Sequence, residues 1–508
     1  MVRLAAFLCL CLALPDVLAA TPRSDLLSPC NKEVDARIQH LIDESFCGKV
    51  EVFENRATGQ GRKISLNVMV IPARISKPAP DPIFFLAGGP GQSAVKTGPF
   101  VFRQLSSLSR DRDIVLVDQR GTGSSNSLAC NNVLSNHAFS VTLAEAMETQ
   151  LGTLKKCLTT IKADTTQYTT PIAMDDLNEV RQVLGYDQIN LVGISYGTRA
   201  ALVYVRRHPD TVRTMTLDAV APTTMVIPAN VAVDAQAAFD QVVKDCHEDA
   251  GCQDAFPKLA EHLNALISRL EIEQELIHFT HPLTGKKLEA YLEAPLINRL
   301  IRSVLYDRTL SRLLPLAIEE AYKKNYTPFI TFGFLNADED MALSAGMMSS
   351  VLCAEDMQLV TEEFKAAQFD NPLTEILDSI CTFWPHTKVS KDYFEPVQTN
   401  VPTLLLSGKL DPITPPRYAK ETHAFLANAE HIIVPGAGHS TLLNGCIPRI
   451  VQQFIEGASV QGINTSCADN ILRPPFFTDF SGAGYEGDNK GGDKQEHESE
   501  KTKDIKDD

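Results

Sequence analysis

The sequence predicts an α/β fold, a mostly parallel and doubly wound sheet with a helical cap inserted ahead of its last two strands. Three observations predict it. Apolar runs of strand length alternate with helical stretches through the first part of the chain. Between about residues 225 and 395 that rhythm stops, helical spacing takes over, and the alternation then returns. At one strand-to-helix junction stands Gly193-Ile194-Ser195-Tyr196-Gly197, a G-x-S-x-G pentapeptide in the context that gives it chemical meaning.

Taken in chain order, residues 1–20 read as an export signal. Arg3 supplies the positive end, Leu4 to Leu14 the short apolar core, and Val17-Leu18-Ala19 the small-residue cleavage pattern. The apolar run is too short to span a bilayer, and no later segment is long and apolar enough, so no membrane anchor is expected. Residues 21–224 read as the first part of the core. Val50 to Asn55 and Lys63 to Ile71 alternate like antiparallel strands. Ile83 to Leu86, Asp113 to Val117, Ile189 to Val192 and Met215 to Leu217 read as buried parallel strands. Asp175 to Leu184 is a helix with acids in its first turn and Gly185 at its end.

Residues 225–395 carry the cap, with helical spacing over Ala232 to Lys244, Lys258 to Glu273, Ala294 to Leu305 and Leu310 to Lys324, and no comparable strands. The second part of the core, 396–470, resumes at Pro402 to Leu406 and His431 to Val434. Residues 471–508 read as a disordered acidic tail, with Ser481 to Asp508 almost free of apolar residues.

The net charge of −16 argues against nucleic acid or an anionic membrane as the main partner. Of twelve cysteines, Cys9 and Cys11 leave with the signal, and the other ten read as disulfides in an exported chain. Their spacing into neighbouring couples suggests Cys30–Cys47, Cys130–Cys157, Cys246–Cys252, Cys353–Cys381 and Cys446–Cys467. No C-x-x-C with paired ligands appears, so no metal site is expected, and no cofactor is expected either.

A serine hydroxyl becomes nucleophilic when a base takes its proton and a carboxylate holds that base's tautomer. The candidate nucleophile is Ser195. The candidate base is His439, on the glycine-bearing loop Val434-Pro435-Gly436-Ala437-Gly438-His439 after the last strand. The candidate acid is Asp411, just past the penultimate strand, with Asp218 as its rival after the strand before. The Tyr196 N–H and that of Gly89, in Ala87-Gly88-Gly89-Pro90-Gly91-Gln92-Ser93, are the candidate oxyanion donors, since Pro90 has none. Asp118 and Arg120 read as a buried network behind that loop.

With these pieces in place the chain resembles the tripeptidyl aminopeptidase and prolyl iminopeptidase group of α/β-hydrolases. The resemblance rests on Gly88 to Ser93, Asp118-Gln119-Arg120-Gly121-Thr122-Gly123-Ser124, Gly193 to Thr198, Ser407-Gly408 with Asp411-Pro412 and Thr414-Pro415, and Gly436 with Gly438-His439. Prolyl iminopeptidases usually carry His where Ala87 stands. That departure, the length and the Cys446/Cys467 ending look more like the secreted tripeptidyl aminopeptidase branch. The resemblance implies an α/β-hydrolase fold and release of short pieces from a peptide with a free N-terminus. It also implies that cap acids bind the substrate ammonium, and Val351-Leu352-Cys353-Ala354-Glu355-Asp356 then makes Glu355, with Asp356 next, the substrate N-terminus candidates.

Three functions stay open on the sequence: a secreted serine exopeptidase, a capped hydrolase of esters or other small acyl compounds, and a non-catalytic binding protein on a hydrolase scaffold. Intact Ser195, Asp411 and His439 argue against the third. Ser rather than Asp at the elbow disfavours epoxide hydrolase and dehalogenase chemistry.

Overall fold

A computed structural model of the chain describes residues 26–483 apart from 32–33, 131–141, 282–283, 336–342 and 361–371. The expected export signal, 1–20, and the acidic end of the tail from 484 onward lie outside these residues.

The nine-stranded main sheet takes the order β1-β2-β3-β5-β4-β6-β7-β10-β11, where β1 is Leu27–Pro29, β2 Phe46–Phe53, β3 Lys63–Ile71, β4 Ile83–Leu86, β5 Ile114–Val117, β6 Ile189–Ile194, β7 Val212–Asp218, β10 Thr403–Gly408 and β11 Ala429–Val434. β1 to β3 pair antiparallel, as does β3 with β5, and every other pair is parallel. All four residues of β4 and of β5 are buried, because both faces of the sheet are covered and the strands can be apolar throughout. Alternate residues then feed two cores. Phe84, Val115 and Leu191 pack with Ala200 and Tyr204 on one face, and Phe85, Leu116 and Val192 with Phe102 and Phe454 on the other. Each such side chain contributes roughly 1.5–3 kcal/mol when fully buried.

Parallel register brings the strand ends to one edge: Leu86 pairs with Gly193, Ile194 and Leu406 with Asp218, and Gly408 with Val434. Residues immediately beyond these ends therefore gather in one place, the edge where sites of open α/β sheets form.

The cap has a core of its own, with Phe239, Leu266, Ile297 and Phe329 at its centre. It is not all helical. β8 (Glu275–Thr280) and β9 (Lys287–Leu292) form an antiparallel hairpin where only helices were expected. Its alternation is hard to read because Ile277, Ala290 and Leu292 are the apolar residues it buries while Leu276, Leu288 and Tyr291 stay exposed.

Two segments pack across the boundaries that the sequence suggests. The helix Leu143–Thr160, in the span assigned to the core, packs Leu154 against Leu377, Ile380 and Trp384 of the cap. The chain also stays packed beyond 471. The Gly436 N–H donates to the Ile471 carbonyl at 2.7 Å, the Phe477 N–H to that of Arg312 at 3.1 Å, and Phe476 joins the cap core. An apolar Phe476-Phe477 pair is what holds this segment to the cap, so the polar tail begins later than expected.

The five disulfides join Cys30 to Cys47, Cys130 to Cys157, Cys246 to Cys252, Cys353 to Cys381 and Cys446 to Cys467. Among the described residues no helix is long and apolar enough to cross a membrane.

Candidate active site

Ser195 sits between β6 and the helix Tyr196–Arg207 with φ 58° and ψ −126°. That conformation costs a non-glycine residue of order 1–3 kcal/mol and persists only where the surroundings impose it. They do so here: its N–H donates to the Asp218 carbonyl at 2.9 Å, and its carbonyl accepts the Thr198 N–H at 2.8 Å. The flanking glycines are sterically required. A Cβ at Gly193 would lie 2.5 Å from the Gly197 carbonyl oxygen, and one at Gly197 2.0 Å from that of Leu86.

Asp411 follows β10 and is fully buried. Its Oδ1 accepts the N–H groups of Ile413 and Thr414 at 2.8 and 2.9 Å, and its Oδ2 the Thr414 hydroxyl at 2.8 Å. Both oxygens also face His439 Nδ1, at 3.0 and 2.9 Å. Burial works against ionisation of Asp411, but the adjoining imidazole and the donors at Thr414 and Ile413 hold its carboxyl below the usual range. For His439, burial favours the neutral ring, yet the charge and hydrogen bond of Asp411, helped by the charge of Asp218, raise it above its ordinary value. A carboxylate that fixes Nδ1–H leaves Nε2 unprotonated and able to take a proton.

Asp218, the rival acid, turns away from the ring and binds the turn that carries it. Its carboxylate accepts the Ser440 hydroxyl at 2.6 Å, the Thr441 N–H at 2.8 and 2.9 Å, the Thr441 hydroxyl at 3.0 Å and the Leu442 N–H at 2.8 Å. With its carbonyl on Ser195, this one residue ties the serine turn to the histidine turn.

The loop after β4 abuts the serine: a Cβ at Gly88 would lie 3.3 Å from Ser195 Cβ. Gln92 closes the loop, its side chain accepting the Gly88 N–H at 3.0 Å. Asp118 anchors the far end, accepting from Ser93 Oγ at 2.5 Å, the Val95 N–H at 3.1 Å and Asn67 Nδ2 at 2.8 Å. Arg120 is also buried but meets a different set of partners, with Asp176 at 2.7 and 2.8 Å and the Glu54 carbonyl at 2.7 Å. Among the described residues neither the Gly89 nor the Tyr196 N–H donates to another backbone group. Tyr196 is the first residue of its helix, where such a donor is left over.

Glu355 and Asp356 are placed differently from the other candidates. Glu355 accepts the Thr170 N–H at 2.7 Å and hydroxyl at 2.9 Å, and the Tyr393 hydroxyl. Burial pushes its carboxyl up to about 7, with Arg199, Tyr393 and Thr170 opposing and Asp356 adding to the rise. Asp356 pairs with Arg199 at 2.8 Å and accepts the Ile227 N–H at 2.8 Å. Both are inaccessible to solvent, so a substrate ammonium would have to displace protein donors. Sequence spacing gave no sign of this, because every partner but the neighbouring pair lies far away in the chain.

The cap reaches the site at two points that sequence reasoning missed. The Ser344 N–H donates to the Gly91 carbonyl at 3.0 Å, and the His439 N–H to that of Tyr306 at 3.0 Å. Among the described residues no group of three His, Cys, Asp or Glu converges as a metal site would need.

Known proteins resemble the chain at the level of sequence. The family described as "alpha/beta hydrolase fold" matches residues 81–265, and the one described as "TAP-like protein" matches residues 366–467. These two matches support an α/β-hydrolase of the TAP-like group. Serine protease Hip1 of Mycobacterium tuberculosis is 25% identical over 467 residues, 83% of this chain and 87% of that protein. Tripeptidyl aminopeptidase of Streptomyces lividans is 24% identical over 466 residues, 84% of each. A solved proline iminopeptidase from Mycobacterium smegmatis aligns at 15% identity and a TM-score of 0.36, covering 81% of this chain and 98% of that one. With relatives named serine protease and tripeptidyl aminopeptidase, the chain is a serine hydrolase of the peptidase kind.

Proposed function

We propose that this TAP-like hydrolase is an exported exopeptidase that releases short pieces from the free N-terminus of peptides. Ser195 attacks the scissile carbonyl while His439 takes its proton and Asp411 holds the ring. The N–H groups of Gly89 and Tyr196 receive the oxyanion. His439 then protonates the departing amine, and water, activated by the same ring, releases the acyl group from Ser195. The observation that carries this reading is the two-oxygen contact of Asp411 with His439 Nδ1 at 2.9 and 3.0 Å. It sits at the sheet edge that also holds the strained Ser195.

The relatives named serine protease and tripeptidyl aminopeptidase support a peptide substrate, and the five disulfides support export. The test compares the protein with Ser195→Ala on mono-, di- and tripeptidyl fluorogenic substrates, each with free and acetylated N-termini, beside a nitrophenyl ester. Tripeptidyl release that needs the free amine and is lost in Ser195→Ala is the expected result. Equal rates on free and blocked peptides would remove the exopeptidase reading, and ester turnover alone would transfer the site to small acyl substrates. Glu355→Gln in the same panel reports on the amine: if Glu355 binds it, the preference for free over acetylated substrates collapses.

A further inference from the structure

A histidine base gives its proton to the leaving group, so whatever packs beside the ring lines the path of departure. Beside His439 stands Tyr306, at the C-terminal end of the cap helix Ala294–Leu305. The two rings meet edge to face, with centroids 5.0 Å apart and planes at 70°. The main chains are joined as well, since the Tyr306 carbonyl takes the His439 N–H at 3.0 Å. The approach is close enough that a Cβ at Gly438 would lie 2.6 Å from that carbonyl oxygen.

Tyr306 nonetheless keeps 40% of its surface open to solvent. The protein crowded around its hydroxyl pushes it up to about 12, with the charge of Arg302 pulling down and that of Asp411 pushing up. Tyr306 is thus open to solvent directly beside the base. Arg302 lies one turn earlier on the same helix, four residues from Tyr306 and so on the same face. It is partly exposed, and among the described residues it has no carboxylate partner. On a chain of net charge −16, a guanidinium one turn from Tyr306 with no carboxylate partner among the described residues is the feature that would draw an anion there.

We propose that Tyr306 and Arg302 form the leaving-group subsite of this hydrolase, and that the subsite selects peptides bearing a carboxylate just beyond the scissile bond. The ring packs against the departing residue next to His439, and the guanidinium binds the carboxylate, whether an acidic side chain or a free C-terminus. This rests on the serine-peptidase reading above, with the acyl part on Ser195 and the amine leaving past His439.

The test holds the acyl part constant and varies the leaving dipeptide. One carries an acidic side chain and an amidated end, one a neutral side chain and a free C-terminus, and one is neutral and amidated. The ratio of kcat/KM on each carboxylate-bearing dipeptide to that on the neutral one is expected to fall roughly tenfold in Arg302→Gln, the size of a charge-assisted contact. Arg302→Lys should restore part of it, and Arg302→Glu should turn the preference toward a Lys-bearing dipeptide. A fall confined to one substrate says whether side chain or C-terminus is read. Tyr306→Ala should raise KM for all three dipeptides more than for a methyl ester of the same acyl part, while Tyr306→Phe should not. Ratios that do not move in Arg302→Gln would overturn the subsite.

If the protein cleaves the methyl ester and none of the peptides, the peptide reading has failed independently of the subsite. Inhibition of ester hydrolysis by the free acidic dipeptide, weakened by Arg302→Gln, would then still support the subsite, and its absence would overturn it.

Discussion

Replacing Asp411 with Asn separates the two things that residue does for His439. The carboxylate accepts three protein hydrogen bonds, from Ile413 and Thr414, and turns both oxygens to Nδ1. Asn is nearly isosteric but must place an NH₂ at one of those positions. If Oδ1 keeps its two backbone donors, the NH₂ faces the Thr414 hydroxyl and the ring. The hydroxyl can rotate to accept, but His439 must then present Nδ1 as an acceptor and carry its proton on Nε2. That tautomer cannot take the proton of Ser195, so kcat should fall about 10⁴-fold, close to 5 kcal/mol of barrier.

The second effect has the opposite sign on the pH axis. Burial favours neutral His439, and the charge of Asp411 is the main influence raising it above its ordinary value. Without that charge the ring should titrate lower. Because the free enzyme needs a neutral base, the acid limb of kcat/KM should move to lower pH while the plateau drops. The assay is a pH–rate profile for both proteins on one substrate, with a melting curve to show that Asp411→Asn is folded. A plateau within tenfold of the parent, or an acid limb that moves to higher pH, would refute this account of the base.

Other perturbations follow from the same contacts. Asp218→Asn points an NH₂ at donors on Ser440, Thr441 and Leu442, so it should cost about 2–4 kcal/mol of stability in urea titrations and lower kcat through a displaced His439 turn; unchanged kcat would remove Asp218 from the positioning of the base. Glu355, raised from 4.5 to about 7 by burial, keeps its proton in the folded protein after the unfolded chain has lost it. Its contribution to stability should therefore decline by about 3 kcal/mol as pH climbs from roughly 4.5 to 7. Calorimetry should find a flatter pH dependence in Glu355→Gln, and a trend identical to the parent would contradict the burial argument. Removing the disulfide whose cysteines stand 28 residues apart, by Cys353→Ser with Cys381→Ser, should cost about 3–4 kcal/mol through the freed unfolded chain. Melting curves showing no loss would place that constraint elsewhere.

What could be read from the sequence was what is local in the chain. The elbow declared itself because Gly193 and Gly197 flank Ser195 within one turn, and steric necessity leaves glycine there whatever surrounds it. Asp411 and His439 were legible because each follows an apolar strand whose end lies at the same edge of the sheet. The function of Asp218 was not legible, since its partners lie more than two hundred residues further along the chain. A buried Asp after a strand looks the same in sequence whether it meets a ring or a turn. Glu355 is the converse case: a motif suggested a substrate-binding carboxylate, while Thr170 and Tyr393 close over it from distant segments. The β8–β9 hairpin escaped notice because its apolar residues fall on both faces, so alternation gave no clear period.

The two cap contacts bear on how specificity and rate are related in this fold. A cap that only sieved substrates could be varied with changes in KM alone. Here the cap is bonded to both halves of the chemistry: Ser344 to the oxyanion-side loop at Gly91, and Tyr306 to the base-side turn at Gly438 and His439. At both points the core residue is a glycine whose missing Cβ makes the contact possible. A Cβ at Gly91 would lie 2.9 Å from the Ser344 carbonyl oxygen, and one at Gly438 2.6 Å from that of Tyr306. Displacing the cap at either point therefore displaces a donor loop or the base, and a shift of about 1 Å at a reacting group costs on the order of 10²-fold in rate. Substitutions that alter what the cap admits should change kcat together with KM, because the cap's backbone is part of what holds the reacting groups in place.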